Sequence, residues 1–397
     1  MTTPGIGKKT VRDIDVAGKR VLVRADLNVP LDDGAVGDEK RIRESLPTIQ
    51  YLVAQGARVI VCSHLGRPKG PDPKLSLAPV AARLGNLLGQ EVLLAADCVG
   101  KAAADAVDAL APGDVLLLEN LRFHPEEEAN DVEFAKQLAS LADIFVNDAF
   151  GAAHRAHAST EGVTHFLPAV AGFLMAKEVQ YLSAFVANPP KPFAAIVGGA
   201  KVSTKIAAIE HLLPKLDMLF LGGGMANTFL KARGVDVAGS LVEDEQVEVA
   251  RRILTAARTQ GVALHLPVDV VCADRFAADA DVRVRTAHEV PDGYMILDIG
   301  PATVRRYSEA LAVAKGVVWN GPMGVFEMEP FSHGSFDLAR TLAGLDAVTV
   351  VGGGETAAVV AQCGLEDRFT HVSTGGGASL EMLEGRVLPG VAALLDT

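Results

Sequence analysis

PFAAIVGGAKVSTKIAAIEHLLPKL, Pro192–Leu216, sets a short apolar run against two glycines and then a segment of helical periodicity. A strand, a tight turn and a helix in this order are the repeating unit of a parallel sheet covered by helices. A helix start reached through glycine also turns backbone N–H groups toward any anion placed there. Lys201 and Lys205 stand four residues apart in that turn. It is not the phosphate loop in which glycine directly precedes a Lys-Ser/Thr pair, because Ser203 and Thr204 come before Lys205.

The same alternation extends in both directions. RVLVRAD, ARVIVCSH, EVLLA, DVLLLEN and DIFVNDAF read as strands of the first half. PFAAIVGG, MLFLGGG, ALHLPVDVV, YMILDIG, GVVWNGP, AVTVVGGG and THVSTGGG read as strands of the second. Amphipathic stretches lie between them, and RIRESLPTIQYLVAQG and DEQVEVARRILTAARTQG each end at a glycine where a helix stops. The fold class is therefore α/β, expected as two doubly wound parallel-sheet domains facing a hinged cleft. The expected division is residues 1–172 for a first domain, 173–192 for a hinge helix and linker, and 193–385 for a second domain. The apolar tail, 386–397, is expected to pack back on the first domain.

A chain of 397 residues is long for one core. Its formal net charge of -12 argues against nucleic acid or an anionic membrane as the main partner. MTTPGIGKKT lacks an apolar leader segment, and no apolar run is long enough to span a bilayer, so a cytoplasmic protein is expected. Cys62, Cys98, Cys272 and Cys363 are scattered and form no CxxC pair, which indicates neither a disulfide framework nor a zinc site.

Ligands of open α/β sheets bind beyond the carboxyl ends of the strands, and those ends differ between the halves. The first half places Asp26, Asn28, His64, Arg67, Lys69, Arg122, His124, Asn147, Asp148, His154, Arg155 and His157 there. The second places glycines, at 198–199, 222–224, 321, 352–354 and 375–377. Guanidinium forks suit a small anion with several charged groups, and bare backbone suits a nucleotide's phosphates. That is the layout of a two-substrate transferase. VTVVGGGETA also fits the weak dinucleotide fingerprint GxGxxA, but no acidic residue closes a second strand at the distance that reading needs. HRAH lacks the companions of a metal motif.

RADLNVP (24–30), SHLGRP (63–68), LENLRFH (118–124), NDAFGAAHRAHAS (147–159), GGAKVSTK (198–205), LGGGMANTFL (221–230), WNGPMGVFE (319–327), GGGETA (352–357) and STGGGASLE (373–381) resemble, in order and over nearly the whole chain, the motifs of the phosphoglycerate kinases. The resemblance implies a first domain for 3-phosphoglycerate or 1,3-bisphosphoglycerate and a second for ADP or ATP with Mg2+. It assigns Asp26 and Asn28 to the glycerate end, and Arg41, His64, Arg67, Arg122 and Arg155 to the patch holding the substrate's charges. It gives Lys201 and Lys205 to the transferring phosphoryl group and the nucleotide phosphates. Asn320 and Glu327 fall near the nucleotide's phosphates and ribose, and Gly353, Gly354, Glu355 and Thr356 at a helix start beside phosphates and metal. Gly376 lies in a third glycine turn and is placed with Arg41, Lys201 and Lys205 at the reaction centre.

Two departures from the family pattern bear on the site. Glu355 stands where many members carry Asp, which touches its metal contact, and RADLNVP replaces RVDFNVP, where Ala25 and Leu27 face the packing side. The reaction implied is direct in-line phosphoryl transfer, without a general base and without phosphorylated histidine, by a monomer. The alternatives from other classes are an NAD-dependent dehydrogenase and a non-catalytic two-lobed anion-binding protein.

Overall fold

The computed structural model describes residues 7–32 and 34–397. The first six residues, on which the expectation about a leader segment partly rests, and Asp33 lie outside the described residues. The chain forms two compact units, one running to Gln180 and taking back Val387–Thr397, the other Tyr181–Arg386.

The first unit is built on six parallel strands, β1 (Arg20–Arg24), β2 (Arg58–Cys62), β3 (Val92–Leu94), β4 (Val115–Leu117), β5 (Ile144–Asn147) and β6 (Ala169–Ala171). Their order is β3-β4-β2-β1-β5-β6. The chain starts at the centre, works to one edge, and returns beside β1 on the other side, so β1 pairs with both β2 and β5. The helices α1 (Lys40–Ala54), α2 (Ala78–Leu88), α3 (Gly100–Asp108) and α4 (Val132–Ser140) make the crossovers. Val21, Val23, Val59, Val61 and Val146 pack with Ile42, Ile49 and Leu52 of α1, and Ala25 and Leu27 join that core. The sixth strand is one more than the sequence reading found. β6 is only AVA, with no branched run to announce it, and its edge is covered from both chain ends. Ala171 N–H donates to Lys9 O at 2.9 Å, Leu395 N–H to Ala169 O at 2.9 Å, and Lys9 N–H to Leu395 O at 2.8 Å.

The helix α5 (Phe173–Ala187) follows. In the second unit the strands are β7 (Phe193–Val197), β8 (Met218–Leu221), β9 (Ala263–His265), β10 (Asp269–Ala273), β11 (Val282–Thr286), β12 (Met295–Ile299), β13 (Gly316–Asn320), β14 (Val348–Gly352) and β15 (His371–Val372). Six of them form a parallel sheet in the order β9-β8-β7-β13-β14-β15, and the other three an antiparallel sheet, β11-β10-β12. The expectation of about seven strands in one sheet is corrected accordingly. ALHLPVDVV is two strands, divided at Pro267, and YMILDIG belongs to the smaller sheet. The helices are α6 (Ile206–Leu212), α7 (Gly223–Ala232), α8 (Val247–Gln260), α9 (Pro301–Leu311), α10 (His333–Ala343), α11 (Gly354–Gln362) and α12 (Gly377–Leu383), with α13 (Pro389–Ala392) in the returning tail. The chain adds strands outward from β7 on one side and outward from β13 on the other, which makes the ends of those two strands the switch point of the parallel sheet.

Candidate active site

In the first unit the functional side chains stand on the loops that leave the carboxyl ends of its strands. Arg41, in the first turn of α1, donates to Asp26 Oδ1 at 3.1 Å and to the Asn28 carbonyl at 3.0 Å. Asn28 Oδ1 in turn accepts from Gly66 N–H at 2.8 Å, which ties the loop after β1 to the loop after β2. Arg122 lies in a 3-10 turn whose start is held by Asn120, the carboxamide oxygen accepting from Arg122 N–H at 3.1 Å. Its guanidinium donates to Gly66 O at 2.8 Å and pairs with Glu128 at 3.0 Å, while Nε is buried without a partner among the described residues. Arg155 donates from Nε to His154 at 3.1 Å, and Arg67 is exposed on the loop after β2.

Arg41, Arg122 and Arg155 converge on two buried imidazoles. His64 is held well below the ordinary imidazole pKa by burial first, then by Arg24, Arg122 and Arg41. His157 is lowered to about 4 by burial, with Arg122, Arg24 and Arg155 acting in the same direction. Two neutral imidazoles therefore sit among guanidiniums, offering hydrogen bonds where the arginines offer charge. Burial pushes the Arg122 guanidinium down as well, against the pull of Glu128.

Sequence reasoning missed the pair beneath this patch. Arg24, the last residue of β1 and 1 % exposed, donates to Ser159 Oγ at 2.8 Å and lies 2.9 Å from His64 Nδ1. Glu127, with no exposed surface, accepts from the same serine at 2.5 Å through Oγ and 3.0 Å through N–H. A buried cation and a buried carboxylate thus share Ser159, and the cation also meets the imidazole of His64. The signal available was the arginine at the carboxyl end of RVLVR, a strand apolar between two arginines, which reads equally as a surface terminus.

In the second unit the site gathers at the switch point. Gly198 opens the turn after β7 so close to its neighbour that an added Cβ would lie 2.1 Å from Pro322 O, and only glycine fits. Lys205, the residue before α6, is hydrogen-bonded by its ammonium to Asn320 Oδ1 at the end of β13. Burial lowers the Lys205 pKa, and Glu355 and Glu384 pull it back up. Asn320 is 4 % exposed, and its Nδ2 donor has no partner among the described residues. That donor faces Gly353, which has φ 92° and opens α11, and Thr356 Oγ1 in the first turn of α11 accepts from Gly321 N–H at 2.7 Å. The starts of α6, α7, α11 and α12 all lack a side-chain cap hydrogen bond. At α7 Gly223 N–H already donates to Met323 O at 2.9 Å and Met225 N–H to Gly199 O at 3.0 Å, and at α6 Ile206 N–H donates to Val202 O at 3.1 Å, so the start of α11 is the one best placed to offer N–H groups to an anion.

Lys205, Asn320, Gly353, Glu355 and Thr356 are brought together here, and Gly354 is the first residue of α11. Lys201 is exposed on the turn before α6, close enough to Glu243 to help lower that carboxyl's pKa. Glu327 is exposed on the loop after β13, and Gly376, φ 52°, precedes α12.

A guanidinium-lined anion patch on one Rossmann-like unit, and a lysine with an open helix start on a second, define a two-domain α/β protein of the phosphotransferase class. The family model described as phosphoglycerate kinase matches residues 11–386. The phosphoglycerate kinase of Pelotomaculum thermopropionicum is 58% identical over 392 residues, covering 98% of this chain and 100% of that one. The cytosolic phosphoglycerate kinase of Triticum aestivum is 58% identical over 390 residues, covering 97% of each. Among solved structures, phosphoglycerate kinase from Coxiella burnetii is 44% identical with a TM-score of 0.88, covering 97% of this chain and 98% of that one. That from Pyrococcus horikoshii is 33% identical with a TM-score of 0.86 over the same shares. The chain belongs to the phosphoglycerate kinase family and is a kinase.

Proposed function

We propose that this chain passes a phosphoryl group directly between 1,3-bisphosphoglycerate and ADP, giving 3-phosphoglycerate and ATP reversibly, with the two substrates held by different units. The observation that supports this most is the division of chemistry. Cations and neutral imidazoles gather on the first unit, and Lys205, Asn320 and uncapped helix starts on the second.

Arg122, Arg155, Arg67 and Arg41 hold the carboxylate and phosphate charges of the glycerate substrate, and Asp26 with Asn28 addresses its hydroxyl. Arg122 Nε and Asn320 Nδ2, the unpartnered donors, take oxygen acceptors when ligands bind. Lys205 orients the nucleotide phosphates, and Lys201 neutralises the group in flight. The attacking oxygen is already an anion, so no base is required. The residues contribute position and charge to a loose transition state. Gly376 and the turn around it offer backbone N–H groups to that charge, while Glu327 addresses the ribose.

Glu355 is an exposed carboxylate in the first turn of α11, near Lys205, and supplies the hard oxygen donor that Mg2+ takes. The residues therefore fit a metal carried on nucleotide phosphates. Mg2+ bound there screens the phosphate charge, and Glu355 would hold it on the α11 side.

We place the protein in the cytoplasm as a monomer. Its wheat relative is named cytosolic, no helix among the described residues is long and apolar enough to cross a membrane, and one chain carries both ligand sets. Light scattering after size exclusion checks the monomer.

The function is tested by supplying 3-phosphoglycerate, ATP and Mg2+ and following 1,3-bisphosphoglycerate through a coupled dehydrogenase. Product must form in proportion to enzyme. Absence of product, or ADP released with inorganic phosphate, contradicts the reading.

A further inference from the structure

At the edge of the first sheet, three side chains that phosphoryl transfer does not use come together. Asp97 and Cys98 follow β3, and His124 closes the 3-10 turn after its neighbour β4. One ligand atom from each, a carboxylate oxygen, a thiol sulfur and an imidazole nitrogen, lies within 4.8 Å of the others. His124 Nε2 is 2.7 Å from Asp97 Oδ1, and the Cys98 amide donates to that same oxygen at 2.6 Å. The trio is thus held in place by its own contacts. Cys98 is completely buried, whereas the side chains of Asp97 and His124 keep 42% and 29% of their exposure, so the group opens to solvent on one face. Burial, and then Asp97, push the Cys98 thiol up, so it carries its proton in the metal-free protein.

We propose that Asp97, Cys98 and His124 form a three-ligand site for Zn2+, with a water completing the tetrahedron. A thiolate with an imidazole and a carboxylate is a donor set that selects zinc over the hard Mg2+. The exchange balances. The cation displaces the thiol proton to solvent and replaces the hydrogen bond from His124 Nε2 to Asp97, the ring proton passing through solvent to Nδ1 so that the neutral imidazole offers its Nε2 lone pair. Thiolate, carboxylate and a doubly charged ion then sum to zero, which suits a half-buried pocket. The site is separate from the metal carried on nucleotide phosphates, which belongs to the second unit. It shares its turn with Arg122, two residues before His124, so zinc bound here restrains the loop that carries the phosphoglycerate patch. No short motif announces it, because the ligands come from the loops that follow two adjacent strands.

Co2+ titration of the full, nucleotide-free chain tests this, since a cobalt-thiolate bond adds a charge-transfer absorption that oxygen ligands do not give. One equivalent of Co2+ is expected to raise that band, and Zn2+ to remove it by displacement. Cys98→Ser is expected to abolish the band, and Cys363→Ser to leave it. His124→Gln, on the exposed face, is expected to weaken Co2+ binding about tenfold or more. A saturated protein without the band overturns the proposal, and so does a band that survives Cys98→Ser. If Cys98→Ser does not fold, unchanged Co2+ affinity in His124→Gln overturns it alone.

Discussion

Arg122 has two tasks, and its substitution separates them from those of its neighbour Arg67. Its guanidinium holds Gly66 O and Glu128 while leaving Nε for a ligand, whereas Arg67 is exposed. Arg67→Ala is expected to weaken 3-phosphoglycerate binding by about 1.5 to 3 kcal/mol, the worth of hydrogen bonds to charged groups, with stability unchanged. Arg122→Ala is expected to lower both binding and the unfolding midpoint. ATP affinity stays as it was in both, and calorimetric titration showing equal losses for both ligands contradicts the assignment. Lys201→Ala is expected to lower kcat about 100-fold or more and to spare 3-phosphoglycerate affinity, because an exposed ammonium that meets only the transferring group acts on the transition state. A variant that keeps most of its kcat makes Lys201 a solvated surface residue. The histidines carry a pH prediction. Unfolded, His157 titrates near 6.5, and folded near 4. Between those values the unfolded chain binds a proton that the folded chain does not. The stabilisation is therefore whole above pH 6.5 and lost as pH falls through that window. Asp148, raised to about 6 by burial, acts in the opposite sense, so the variant is compared with wild type at each pH. His157→Gln is expected to flatten the fall in unfolding free energy between those pH values, and an unchanged slope contradicts the buried neutral imidazole. His64, Arg67, Arg122 and Arg155 were legible as groups beyond strand ends, whereas Arg41, in the first turn of α1, came only from the family resemblance. Arg24 and Glu127 were not legible, since their role comes from Ser159, far from both in sequence, and burial leaves no trace in one side chain's identity.

Elements were readable where they were long and apolar, and their errors have particular causes. Pro267 interrupts ALHLPVDVV, and because proline cannot donate to a central ladder, it marked the break that separates β9 from β10. β11, VRVRT, is exposed or half-exposed throughout, so it lacks the apolar run by which the other strands are recognised. β6 is three residues long and stabilised by both chain ends rather than by its own composition. The glycine turns were visible as glycines, but their tightness was not. Gly198→Ala would bring a Cβ against Pro322 O at the switch point. We expect it to destabilise the second unit by about 1 to 3 kcal/mol and to weaken nucleotide binding, as overpacking does. A urea midpoint equal to wild type contradicts that packing.

At the scale of the molecule, the central claim is that two ligands on two units exchange a phosphoryl group without a covalent stop on the protein. Direct transfer needs reacting atoms within about 3 to 3.5 Å. With the two ligands held on separate units, as proposed, the radius of gyration from small-angle scattering is expected to fall most when both are bound. The same radius in free, singly and doubly liganded protein contradicts that expectation. His64 and His157 lie among the arginines and are the groups on which a phosphorylated intermediate would form. The stereochemical course at phosphorus separates the two routes most directly. With ATP made chiral at its γ-phosphorus by oxygen isotopes, one direct displacement onto 3-phosphoglycerate predicts inversion of configuration in the acyl phosphate. Retention would mean two displacements through a phosphorylated side chain, and would contradict the account.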